Sequence, residues 1–255
     1  MAKILTIAVN TFREAVRDKI LYSLLIFALL MISSSAFLST LSVGDQIKII
    51  KDMGLSMISI FGTLIAIFVG IGLVYKEIEK RTIYTIIAKP IGRHQFLMGK
   101  YCGLILTLLV EIAIMTAGFL LLLFFYPGSF DPALFKAIYL IFIELMLVTA
   151  IALLFSSFST PILSGIFTLL FFVIGHLTYD LKILVAESKI KSLVYFSNFL
   201  YYALPNLENF NIKSEVVHHL PVGWDDLFWI TIYGLFYILL LLSLSIAIFQ
   251  RRDFK

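Results

Sequence analysis

The sequence predicts an all-α, polytopic membrane protein, and three observations carry that reading. Of its 255 residues, 61% are apolar and only 14% are charged, whereas a soluble domain carries about a quarter charged residues. The apolar residues run in long unbroken stretches, which excludes a β-barrel, whose strands alternate over about 10 residues. Six stretches approach or exceed the roughly 20 residues a helix needs to cross a bilayer: Ile20–Leu41, Gly54–Tyr75, Tyr101–Tyr126, Pro132–Phe155, Pro161–Tyr179 and Leu227–Gln250.

Residues 1–19 precede the first span. Ile4, Leu5, Ala8, Phe12, Ala15 and Val16 recur at helical spacing opposite Lys3, Asn10, Arg13, Glu14 and Arg17, the pattern of an amphipathic interfacial helix. The apolar run continues past the small-residue stretch Ser34-Ser35-Ala36 to Leu41, so the first span reads as a retained helix rather than a cleaved leader. Asp131-Pro132 and Thr160-Pro161 each place a capping side chain before a proline at the first helical position. Asp225 or Asp226 can cap the last span, with Trp224, Trp229 and Tyr233 at an interface. Between the fourth and fifth spans, "SSFSTP" is a short uncharged hairpin. Residues 180–226 form the one long segment on the other side. Its "SLVYFSNFLYYALP" is apolar but too short to span, and reads as a re-entrant or interfacial helix ended by the turn "PNLENFN".

Orientation follows from lysine and arginine, because basic loops stay cytoplasmic. With the N-terminus inside, thirteen basic residues fall on inner segments and seven, spread over more chain, on outer ones. Both termini are then cytoplasmic. Topology and anionic lipid account for the net charge of +4, with no nucleic acid required. A single cysteine, Cys102, excludes a disulfide framework or a cysteine-based metal site, and reads as packing at a helix start.

The anomaly lies between the second and third spans. Lys76, Lys80, Arg81, Lys89, Arg93 and Lys100 crowd into one segment that also holds the apolar "TIYTII". A topogenic loop explains the charges but not the apolar run, which wants a partner. Helix formers before Pro90 and after Gly92 make it a helix–Pro-Gly–helix elbow. Antiparallel helices need only about 2–8 connecting residues, so the insert is far longer than closure requires.

"EKRTIYTIIAKPIGRHQFLMGK" (79–100) resembles the cytoplasmic loop of ABC-2-type transporter permeases. Similar to the same family are "TFREAVRDKILYSLL" (11–25), "LFSSFSTP" (154–161), "LPNLENFN" (204–211) and "FQRRDF" (249–254), so the likeness covers the whole chain. It implies a coupling helix that sits in a groove of an ABC ATPase subunit, carried by Glu79, Thr82, Ile83, Ile86, Ile87, Pro90 and Arg93. It further implies a second permease copy as partner and a prokaryotic cytoplasmic membrane as location. Arg81 stands where many members have Gly and Gly92 where many have Ser. "RTI…KPIGR" looks closest to the branch linked to multicopper-enzyme maturation, as in nitrous oxide reductase assembly. A phosphate loop needs Gly, four residues, then Gly-Lys-Ser/Thr. Gly92…Gly99-Lys100-Tyr101 has six intervening residues and no hydroxyl. ATP and magnesium are therefore expected on the separate subunit, with no cofactor and no catalytic site on this chain.

Two carboxylates, Glu111 and Glu144, lie inside spans, where a lone charge is costly. Each makes either a structural hydrogen bond, for example to Thr149 or Thr116, or a substrate or proton contact. His218-His219 point about 100° apart on a helix, and Met53 and Met57 read as packing, so no metal site is expected. His176 reads as an interhelical donor. Two other functions fit the same spans: a membrane anchor or assembly factor recruiting a soluble partner, or an ion-coupled carrier using Glu111 and Glu144.

Overall fold

Residues 2–40, 45–79, 92–186 and 191–251 are described by the computed structural model, with side chains for all of these except 2, 73–79, 186, 191 and 251. Their regular structure is entirely helical: α1 (Ala2–Ala15), α2 (Lys19–Ser39), α3 (Gln46–Glu79), α4 (Arg93–Phe124), α5 (Ala133–Ser156), α6 (Pro161–Ala186), α7 (Lys191–Ala203), a 3-10 turn (Leu207–Phe210), α8 (Lys213–Val217) and α9 (Trp224–Arg251). Six of them, α2, α3, α4, α5, α6 and α9, are long and apolar enough to cross a membrane.

α3 and α5 form the centre. Along the most apolar stretch of each, 72% of residues are buried, against 22% for α6 and 28% for α2. α2, α4 and α6 pack on α3, while α9 packs chiefly on α5. Bilayer-facing helices keep apolar outer surfaces because lipid is as apolar as the core. The broad faces of α2 and α6 are therefore what a membrane or another chain would cover.

Several helices outrun the predicted spans. α3 starts at Gln46 rather than Gly54, because its first turns carry Lys48, Lys51 and Asp52, which mask a helix whose Ile50 and Lys51 are buried. α4 starts at Arg93, where helix was expected to resume after Gly92, and runs without a break into the span predicted from Tyr101. Its Lys100 is buried, contacts Glu14 of α1 at 3.5 Å and lies 5.8 Å from the Phe96 ring. α6 continues seven residues past Tyr179 to Ala186.

α1 is a helix as expected, but its seating adds something periodicity did not show. Besides Ala8 and Ala15 it buries Thr11 and leaves Leu5 exposed. The cause is α4: a Cβ on Gly99 would meet Ile7 at 2.7 Å, and one on Gly103 would meet the Ala8 carbonyl at 2.6 Å. This small-xxx-small spacing lets two helix backbones touch. Asp18 then caps α2 by accepting from the Ile20 amide at 3.0 Å.

Two of the expected caps are present in modified form. Asp131 accepts from the Ala133 amide at 2.8 Å, and Asp226 reaches back from inside α9 to the Gly223 amide at 3.2 Å. The hairpin after α5 is short, with α6 beginning at Pro161. Cys102 corrects the reading made of it: it is exposed on α4, nine residues past the helix start.

The segment after α6 is more than an interfacial loop. α7 packs back on α6, after which residues 204–217 fold into the bundle. Leu207, Phe210 and Val216 are fully buried, and the 3-10 turn touches both α5 and α6. Asn206 opens that turn by accepting from the Glu208 amide at 3.1 Å, an Asx turn. Two span glycines make the room. A Cβ on Gly175 would meet Leu207 at 2.8 Å, and one on Gly234 would meet the Phe210 ring at 3.0 Å. Tyr233, expected in an interfacial belt, is turned inward, and its hydroxyl accepts from the Asn206 amide at 2.8 Å. Residues 204–217 thus plug one end of the bundle.

Candidate functional site

Three polar features lie along the bundle: at one end, within it, and under the plug. The first is the shoulder where α4 begins. Gly92 is extended (φ −68°, ψ 143°) and its amide donates to Gln95 Oε1 at 3.4 Å, so helix restarts at Arg93. Arg93 Nη1 donates to the carbonyls of Phe249 at 3.1 Å and Gln250 at 2.9 Å. The last carbonyls of a helix lack intrahelical partners and carry partial negative charge, so a guanidinium is a fitting cap. Phe96 stacks on Phe249 with centroids 6.0 Å apart. The start of α4, the end of α9 and helix α1 are thereby tied together at one end of the molecule.

Of the residues expected to couple to an ATPase, Arg93 is placed at this shoulder. Glu79 is the last residue of α3, its backbone helical. Thr82, Ile83, Ile86, Ile87 and Pro90 lie outside the described residues. α3 and α4 lead into that segment as helices of 34 and 32 residues. At roughly 1.5 Å per residue each is close to 50 Å long, well beyond the about 30 Å of bilayer hydrocarbon.

The second feature is the intramembrane carboxyls. Glu111 lies 13 residues before the end of α4 and Glu144 lies 11 after the start of α5, so they sit at similar depth in adjacent antiparallel helices. Both are buried. The structure corrects the hydrogen bonds suggested for them. Thr149 donates to Leu145 O in its own helix at 2.7 Å, and Thr116 Oγ1 has no partner among the described residues. Glu144 Oε1 instead faces His176 Nε2 of α6 at 3.3 Å, a contact with the distance but not the alignment of a hydrogen bond. His176 Nδ1 lies 3.2 Å from Phe172 O. A carbonyl only accepts, so Nδ1 carries a hydrogen. Nε2 and the carboxyl are then favourably paired when one proton sits between them, whichever atom holds it. Charges on Glu208 and Lys213, in the plug, are close enough to act on both groups. Glu111 Oε2, by contrast, has no partner among the described residues.

Gln and Leu at position 144 should therefore differ. Glu144→Gln keeps a polar partner for His176, whereas Glu144→Leu leaves the imidazole facing a hydrocarbon wall, at about 1–3 kcal/mol. The leucine variant should show the lower midpoint in detergent melting. Equal, complete loss of transport in both variants, with normal assembly, would instead assign the carboxyl itself a functional role.

The third feature closes the plug. His219 Nδ1 and Asp131 Oδ2 are 2.8 Å apart across 88 residues of sequence. Burial pushes the Asp131 carboxyl up, but the Ala133 amide and His219 outweigh it and hold its pKa below the ordinary value. His219 adopts φ 56°, a left-handed turn that is uncommon outside glycine and ends α8. The His218-His219 pair therefore works through one member, as a tie between the plug and the α4–α5 loop. Sequence reasoning had no local signal for this pairing.

A family model described as ABC-2 family transporter protein matches residues 5–254. No curated protein matches the sequence significantly. The match runs through α1, all six membrane-length helices and the plug. Every motif for which the resemblance was noted therefore lies within it. The chain belongs to the ABC-2 family of transporter proteins.

Proposed function

We propose that the chain is the membrane-embedded permease subunit of an ATP-binding-cassette transporter, driven by a separate ATPase that docks on residues 76–98. The observation that carries this reading is the shoulder. α3 and α4 extend beyond bilayer thickness into the basic, apolar-cored segment, and Arg93 ties the far side of that segment to the end of α9. A push on the loop would then act on α3, α4 and α9 together. α9 in turn reaches the plug through Tyr233 and Gly234.

Two copies, or one copy and a relative, would form the pathway between them, with the sparsely buried α6 as a face for the second copy. ATP and magnesium belong to the partner. The sequence holds no phosphate loop, which supports a non-catalytic role for this chain. The multicopper-enzyme branch is supported only by the loop sequence around Arg81 and Gly92. A prokaryotic cytoplasmic membrane, with both termini inside, is supported by the distribution of basic residues. The chain ends share one end of the bundle, as this topology requires, through Lys100–Glu14 and Arg93–Phe249.

Reporter fusions should place Lys89 and Lys255 inside and Lys48 and Asn206 outside. Cytoplasmic Asn206 would overturn the topology. The subunit reading is tested by isolating the chain from native membranes and assaying for an accompanying ATPase; an isolate without one would leave the anchor or carrier readings.

A further inference from the structure

The plug end carries two grooves on either side of one ridge. A groove of about 790 Å³ runs between the starts of α5 and α9, walled by Trp224, Leu227, Phe228 and Thr231. A second, of about 440 Å³, lies between α4 and α5 and is walled by Leu109, Ala113, Ala117 and Phe142. Phe135 and Tyr139 line both. They are four residues apart on α5 and so stand one above the other as the dividing ridge. Both grooves are predominantly apolar in lining, and their volumes fall within the about 300–1,000 Å³ of small-ligand sites.

The mouth of the larger groove is polar. Lys136 Nζ donates to Val222 O at 2.7 Å and lies 4.6 Å from the Trp224 ring centre. An ammonium has three N–H groups, so one remains for a ligand oxygen. Asp131, also at the mouth, has both oxygens engaged, by Ala133 and His219, and the Lys51 charge acts on it as well. From Ala133 to Tyr139 the lining descends about 9 Å along α5, from the helix start into the spanning region.

The geometry points to one diacyl glycerophospholipid bound astride the Phe135–Tyr139 ridge, one acyl chain in each groove and its phosphate on Lys136. On the proposed topology this is a lipid of the outer leaflet. Two apolar grooves sharing a ridge match two chains leaving one glycerol, and a cation at the mouth matches a phosphate. A packed helix from a second copy would need one continuous trough instead. The inference needs only a membrane-spanning chain and is independent of the ATPase.

The test is native mass spectrometry of the purified chain after delipidation, titrated with phosphatidylglycerol, with diacylglycerol of the same chains, and with lysophosphatidylglycerol. Wild type should hold one phosphatidylglycerol, and bind the diacylglycerol about tenfold more weakly, as loss of a charged hydrogen bond implies. Lys136→Gln should lower phosphatidylglycerol binding to the diacylglycerol level, while Lys48→Gln, elsewhere at the same end, leaves it unchanged. Ala117→Trp, which fills the second groove, should bring phosphatidylglycerol down to the lysolipid level without altering lysolipid binding. Unchanged phosphatidylglycerol binding in Lys136→Gln or in Ala117→Trp would overturn the proposal. So would equal binding of diacylglycerol and phosphatidylglycerol by wild type, an outcome that depends on no variant folding correctly.

Discussion

Phe210→Ala should lower the thermal midpoint of the purified protein by roughly 10 °C, because truncating a fully buried phenylalanine costs about 3–5 kcal/mol. Phe210 is 0% exposed. Its ring lies against Gly234 of α9 and 6.2 Å from the Tyr233 ring, centre to centre. Neither neighbour can follow it into the void: glycine has no side chain, and the Tyr233 hydroxyl is held by the Asn206 amide. The cavity should therefore persist and the plug should loosen from α9. Phe199→Ala supplies the comparison, since Phe199 is 65% exposed on α7 and should shift the midpoint little. Equal shifts in the two variants would mean that residues 204–217 are not a packed part of the bundle.

Replacing Ile83 and Ile87 together by Ala should abolish association with the ATPase while leaving membrane insertion intact. If residues 79–93 dock in a partner groove, their apolar side chains supply buried contact, and a few such residues dominate a small interface. Both positions fall outside the apolar runs of spanning length in the sequence, so the amount of inserted protein should be normal. Lys80→Gln and Lys89→Gln should mainly change the salt dependence and rate of association, since rim charges steer encounter more than they hold the complex. Arg93 differs from those lysines: its bonds to Phe249 and Gln250 carbonyls give it a structural task whether or not it also meets the partner.

The six spans were legible because each is a long apolar run, and hydropathy is additive along a helix. Helix α1 and the hairpin at Pro161 were legible for similarly local reasons. What sequence reading missed depends on partners far away in the chain. The first turns of α3 fell outside the predicted span because they carry Lys48, Lys51 and Asp52, and only the fold shows that Lys51 is buried. The inward turn of Tyr233 and the room at Gly175 and Gly234 have meaning only once Leu207 and Phe210 arrive. Glu144 was recognised as a buried carboxyl needing a partner. The partner proved to be His176 on the next helix, because Thr149 satisfies itself on Leu145 within its own helix. At the proposed coupling site only the two ends, Glu79 and Arg93, are described, and its apolar centre rests on sequence.

The most direct test of the central claim is the amount of ATPase, and its transport-stimulated ATP hydrolysis, that accompanies the chain isolated from native membranes, compared between wild type and the Ile83→Ala/Ile87→Ala variant. The permease reading predicts an ATPase with wild type and its loss from the variant at equal chain recovery. Wild type isolated without any ATPase, or a variant that retains partner and stimulation in full, would contradict it and leave residues 79–93 as a charged topogenic loop.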